Sequence, residues 1–243
     1  MTLSLSRLFG RSGSPLRGSR VLLVEPDWQH YDDWWLLRET SRQHLEPFEP
    51  AWAADELSRQ AFRRRLKRYR FDRRQGTGAA YFVVEPKEGT LLGGLTLTNI
   101  RRGVTQSASL GYWIGLPFVR NGYASEAVGI ALAHAFDGLG LNRVDAACMP
   151  ANTASIAVLG RAGFRQEGLA RSYLRINGVF EDHLLFGRLR SDRAIAIDRG
   201  ATMPAIRQAE RSRDAVAGLE GRAARIGCEQ VEPNGQAGQG HPA

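Results

Sequence analysis

The chain reads as a mixed α/β domain, a central sheet flanked by helices, and three observations lead to that class. Short apolar runs of strand composition alternate with longer segments of helical periodicity. Asn177-Gly178, set between two alternating runs, is the favoured two-residue hairpin turn. Leu110–Gly115 looks like a buried strand, and it runs through a short glycine-containing loop directly into a helix.

The elements follow in order. Arg20–Val24 is a first strand, and Pro26-Asp27 starts a helix through Trp34, Trp35 and Leu36-Leu37. The Pro-rich loop Leu45–Trp52 separates it from a helix over Asp55–Tyr69. Phe62, Leu66 and Tyr69 form the apolar side of that helix, and the run Arg63–Arg68 reads as its solvated face. Strands at Ala80–Glu85 and Leu91–Leu97 are joined by turn chemistry at Pro86–Gly89. Ser107–Ile114 is the next strand, and Glu126–Leu139 the next helix, with Val128, Leu132, Ala135 and Leu139 on one side. Arg143–Cys148 is a strand and Thr153–Ala162 a helix, with Gly163 at the C′ position. Arg171–Ile176 and Val179–Phe186 make the terminal hairpin.

The domain therefore spans 20–190. Residues 1–19 hold Ser, Gly and Arg without an acid and are expected to form a flexible or loosely docked arm; their apolar stretch is too short for a secretory signal. Residues 191–243 lack a strong apolar face and are expected to be a disordered or weakly helical tail.

Composition removes several function classes. No apolar run reaches the length of a membrane span, so no membrane partner is expected. Cys148 and Cys228 lie too far apart in sequence for a disulfide framework, and the five histidines show no metal-ligand spacing. A reducing cytoplasm and a metal-free site are the expectations. The formal charge is +8 with only two lysines, Lys67 and Lys87. That balance suits an anionic cofactor or an RNA-rich neighbour, but no motif marks a direct nucleic-acid site.

The loop Val119-Arg120-Asn121-Gly122-Tyr123-Ala124 carries the sharpest chemistry. A helix start offers unpaired N–H groups and the positive end of the peptide dipole, which suits a pyrophosphate. Gly122 lets the backbone come close, and Ala124 keeps the helix start uncrowded. About thirty residues on come Asn152 and Ser155, then a short helix ending in Ala162-Gly163-Phe164. Strand, phosphate loop, helix and this later N-x-x-S before A-G-F together resemble the GNAT acyl-CoA N-acyltransferases.

The resemblance implies a mostly antiparallel, splayed sheet and acetyl-CoA as co-substrate. Val119–Ala124 then matches the family pattern Q/R-x-x-G-x-G/A. Val119 departs from its first position, and Arg120 beside it can supply the missing charge. The strand ending in Trp113 and Ile114 would present main-chain groups to the pantetheine arm. Asn152 would hydrogen-bond near the pantetheine, and Ser155 would lie by the cofactor sulfur as the acid for the departing thiolate. Read without the family, Asn152 or Thr153 is simply a helix N-cap and Ser155 a first-turn residue. RimI-type relatives often carry a tyrosine where Leu159 stands, and some members a glutamate where Ala147 stands. The base candidates are Glu126, Glu181, Asp182, His183 or a water relay; Glu126 also reads as a helix-start charge.

Three further segments are similar to the RimJ-type ribosomal-protein-alanine N-acetyltransferases: Ser41–Trp52, Leu92–Ile100 with Ser107–Tyr112, and Arg171–Phe186. The implied activity is acetylation of the N-terminal α-amine of a protein, a ribosomal protein in that family. Glu49 and Trp52 would wall the acceptor site, and Asp182 and His183 would line its groove. Two other readings stay open: acetylation of a small amine such as a polyamine or antibiotic, and a non-catalytic acyl-CoA-binding module on ribosomes or RNA.

Overall fold

The computed structural model describes residues 14–192. Its strands are β1 (Leu16–Arg17), β2 (Leu22–Val24), β3 (Ala79–Val84), β4 (Leu91–Arg101), β5 (Ser107–Ile114), β6 (Arg143–Cys148), β7 (Arg165–Ile176) and β8 (Val179–Leu189). They form one sheet in the order β1-β2-β3-β4-β5-β6-β8-β7. Every pairing is antiparallel except β5 with β6. The helices are α1 (Tyr31–Thr40), α2 (Arg42–Leu45), α3 (Arg59–Gln75), α4 (Tyr123–Ala133) and α5 (Thr153–Arg161). Among the described residues no helix is long and apolar enough to cross a membrane.

The central strands are buried on both faces because each side of the sheet carries helices. β3 is buried throughout, with Tyr81 and Val83 in one core and Phe82 and Val84 in the other. The first core packs Leu95, Leu97 and Val144 against Val128 and Leu132 of α4 and Leu159 of α5. The second gathers Trp34 and Leu37 of α1 with Phe62 and Leu66 of α3. Gly94 on β4 serves close packing: a Cβ there would lie 2.6 Å from Nε1 of Trp113 on β5.

Several boundaries differ from the sequence expectation. The expected arm ends in order, since Leu16 and Arg17 pair with Leu23 and Leu22; residues 1–13 of that arm lie outside the described residues, as does the tail from 193 onward. Asp27 caps a 3-10 turn, Trp28–His30, before α1 begins. α3 starts at Arg59 rather than Asp55, because Ser58 is the residue whose hydroxyl accepts from the Ala61 N–H, at 3.0 Å. It runs on to Gln75 because Arg73, on its inner side, pairs with Glu25 at 2.6 Å. α4 starts at Tyr123, and its expected last turn winds into a π-turn over His134–Gly138. β7 begins at Arg165, well before Arg171; most of its residues are exposed, so no apolar alternation marks it. The hairpin turn is as expected, with positive φ at Asn177 and Gly178.

Candidate active site

The parallel pair is short. β5 and β6 are in register only from Ser107 with Arg143 to Ser109 with Asp145. Beyond that point Leu110–Ile114 pairs only with β4, and Ala146–Cys148 only with β8. The sheet therefore opens into a gap whose one edge is the main chain of Leu110–Ile114, including Trp113 and Ile114. α5 lies against the same opening: the Tyr112 hydroxyl donates to the Ser155 carbonyl at 3.3 Å. Burial raises the Tyr112 phenol, a hydrogen bond with the Ser155 side chain opposes the shift, and nearby Cys148 adds to it, so the group is pushed up to about 12. Burial also pushes the Cys148 thiol up to about 11.

The loop after β5 delivers the chain to α4. Leu116–Phe118 is a 3-10 turn; Val119 is extended, and Arg120 and Gly122 have φ of +63° and +79°. Gly122 is the N-cap and offers no side chain to the helix, so the first-turn amides of Tyr123, Ala124 and Ser125 have no acceptor within it. A side chain at Gly122 would be strained by its φ, and its Cβ would meet Nη2 of Arg20 at 3.1 Å. Arg20 holds the loop from outside, donating from Nη1 to the Asn121 carbonyl at 3.0 Å.

Glu126 completes this anchorage. Its carboxylate accepts from the backbone N–H of Arg20 (2.7 Å) and Val21 (3.3 Å), the Ser19 hydroxyl (3.0 Å) and Nε of Arg20 (3.0 Å). Burial works to raise it, and the hydrogen bonds from Arg20, Ser19 and Val21 outweigh that and hold it below its usual range. It ties β2 to the start of α4.

Asn152 caps α5, its side chain accepting from the Ser155 N–H at 3.0 Å. Ser155 is half-buried, and its hydroxyl lies beside the Tyr112 phenol. Leu159, one turn further on, is buried in the core.

A cavity of about 710 Å3 lies on the opposite face of the sheet. Its floor is formed by β3, β4 and β5, ending at Trp113, and its roof by Arg65, Arg68, Tyr69 and Asp72 of α3. Glu49 and Trp52 stand together in its end wall. Arg38 is the member that sequence reasoning missed. It is 5% exposed, donates through both Nη atoms to Glu49 at 2.7 and 2.6 Å, and lies 4.2 Å over Trp52 and 5.0 Å over Trp113. Its only signal is its place one turn after Trp34, on the buried side of α1.

Asp182 and His183 are on β8 and do not line this cavity. The Asp182 carboxylate accepts from the Ser172 N–H at 2.8 Å, steadying an irregular stretch between Ala170 and Leu174. His183 is buried edge-on to Tyr173. Their hairpin nevertheless reaches the wall, because the Asn177 N–H donates to the Glu49 carbonyl at 2.9 Å. Among the described residues no cluster of His, Cys, Asp or Glu could hold a metal ion.

Comparison with known proteins agrees with this geometry. The GNAT acetyltransferase domain family matches residues 20–165. A probable N-acetyltransferase of Bacillus subtilis, YjcK, is 33% identical over 156 residues, covering 64% of this chain and 86% of that protein. The ribosomal protein uS5-alanine N-acetyltransferase of Escherichia coli is 30% identical over 159 residues, 64% of this chain and 82% of that one. Among solved structures, Mycobacterium smegmatis RimJ in complex with CoA-disulfide superposes with a TM-score of 0.68 at 31% identity, covering 73% of this chain and 86% of that one. A sheet opened between its parallel strands, a glycine-capped helix at the mouth of the gap and a match over most of the described residues lead to one conclusion: the chain belongs to the GNAT acetyltransferase family, as an N-acetyltransferase of the RimJ kind.

Proposed function

We propose that this enzyme transfers an acetyl group from acetyl-CoA to the N-terminal α-amine of a protein, a ribosomal protein being the target class. The observation that carries the reading is the meeting, at Trp113, of the open sheet edge with a cavity of about 710 Å3. The residues present fit the co-substrate. Three unpaired amides at the α4 start and the charge of Arg120 suit a diphosphate, and the free edge of Leu110–Ile114 suits the amides of a pantetheine arm.

Acetyl-CoA supplies the activated acetyl group as a thioester. Val119, Arg120, Asn121, Gly122, Tyr123 and Ala124 bind its diphosphate, and Trp113 and Ile114 its pantetheine arm. Asn152 presents Ser155 by capping α5, and the Ser155 hydroxyl gives its proton to the departing thiolate. Glu49 and Trp52 wall the acceptor side, where Arg38 holds both in position. An α-amine, with a pKa of about 7.7–8.0, keeps a useful neutral fraction near pH 7, whereas a lysine at about 10.4 does not. That difference favours an N-terminus in a site where no carboxylate is committed as base. A ribosomal target places the reaction in the cytoplasm.

The test is thiol release from acetyl-CoA against peptides beginning with Ala or Ser, the same peptides N-terminally blocked, and small amines. Release with free but not blocked peptides supports the proposal. Release with small amines alone replaces it by the small-molecule reading, and silence despite CoA binding makes the chain a non-catalytic acyl-CoA module.

A further inference from the structure

Helix α3 carries nine basic side chains against one acid, Asp72, and its net of +8 equals the formal charge of the whole chain. Seven of the nine cations fall into two rows about the buried Phe62 and Leu66, and the other two, Arg64 and Arg73, pair with Asp55 and Glu25. Arg65 and Arg68 face the acceptor cavity. The other row, Arg59, Arg63, Lys67, Arg70 and Arg74, falls within an arc of about 80° and runs for about 22 Å along the helix. Four of these residues line a separate groove of about 460 Å3 together with Trp28.

The row is only partly compensated. Arg59 pairs with Asp32 at 2.9 Å and Arg70 with Asp27 at 2.6 Å. Among the described residues Arg63, Lys67 and Arg74 have no carboxylate partner. Like charges one turn apart repel by about 0.2–0.5 kcal/mol per pair, and an external polyanion relieves that repulsion. Trp28 is fixed in the groove wall, stacked on Tyr31 at 5.5 Å, with the Arg63 guanidinium 4.8 Å over its ring.

We propose that this groove docks an RNA backbone. All but one of the row's cations are arginine, whose planar fork matches phosphate oxygens. The Arg63 guanidinium lying over the indole gives an unstacked base a planar surface to lie on. A lipid surface is flat, whereas this row lines a concavity and its aromatic ring is held against the protein rather than projecting. The site is independent of the acceptor assignment, although a substrate carried on RNA would join the two.

The test measures binding of the full chain to a fluorescein-labelled 20-nucleotide single-stranded RNA between 50 and 200 mM salt. Arg63→Glu/Lys67→Glu/Arg74→Glu is compared with Lys87→Glu/Arg101→Glu/Arg171→Glu, which makes the same charge change elsewhere. The groove variant is expected to bind at least tenfold more weakly, with a salt slope lower by about 2, and the control to lose less than threefold. A corresponding set of Gln substitutions at the groove gives the same direction should the reversed charges unfold the helix. Both variants retain acetyl transfer to a free peptide, so a silent peptide panel with groove-dependent RNA binding sinks only the acceptor proposal. Equal losses in the two variants, or no RNA binding at 50 mM salt, overturns the docking proposal. Tighter binding to phosphatidylglycerol vesicles, lost in the same groove variant, overturns it in favour of a membrane surface.

Discussion

Arg38 and Glu49 form a two-point ion pair inside the wall of the cavity beneath α3, with both nitrogen–oxygen distances at or below 2.7 Å and the guanidinium between the rings of Trp52 and Trp113. The Trp52 indole N–H donates to the same carboxylate at 2.9 Å. One carboxylate thus orders a cation and an aromatic ring of the wall, and its backbone carbonyl receives the β7–β8 hairpin.

Glu49→Ala leaves the Arg38 charge buried and unpartnered, at an expected cost on the order of 3 kcal/mol. Thermal unfolding should show the loss, and peptide KM should rise. Arg38→Met combined with Glu49→Leu is expected to regain most of the stability and to keep the raised KM. A double variant that regains both assigns the pair a purely structural role.

Gly122→Val should weaken CoA binding by tenfold or more, since a side chain is strained at φ +79° and crowds Arg20. Gly129→Ala is the contrast. Gly129 is an exposed residue of α4 with open space around a Cβ, so that change should stabilise by about 0.8–1 kcal/mol and leave CoA affinity unchanged. Calorimetric titration of both variants with CoA checks the pair.

Ser155→Ala is expected to lower kcat by about 10- to 100-fold with CoA affinity intact. Tyr112→Phe should cost about 1 kcal/mol of stability through its lost hydrogen bond, with kcat within twofold. Steady-state kinetics of the two variants decides between them, and the opposite ranking transfers the acid role to Tyr112.

Glu126 is expected to act on stability and not on the proton inventory of the reaction. Its folded pKa lies below the usual 4.5, so the stability it lends is present above about pH 4.5 and is lost as pH falls through the lowered folded value. Glu126→Gln should lower the thermal midpoint at pH 7, flatten the acid limb of midpoint against pH, and leave the pH profile of kcat unchanged. A kcat profile that moves with this substitution would restore Glu126 as a base.

Strand β5, strand β6 and the start of α5 were legible to the residue, because alternation, β-branched content and cap chemistry are local properties. β7 was not, since its side chains are mostly exposed and leave no apolar period. Glu49 and Trp52 were readable as a wall through the Pro-stiffened loop that carries them. Arg38 was not, because an arginine is ordinarily exposed and its burial depends on a carboxylate eleven residues away and a ring on β5.

By itself, the sequence determined the order and kind of elements, the glycine-containing loop that opens α4 and the family, since these rest on neighbouring residues and on the periods of helix and strand. Only the tertiary structure decided where β5 parts from β6, that the Glu126 carboxylate gathers the backbone ahead of β2, and which faces of α3 meet a cavity and a groove. Those outcomes depend on register and on partners distant in sequence, whose effect appears only when the chain has folded.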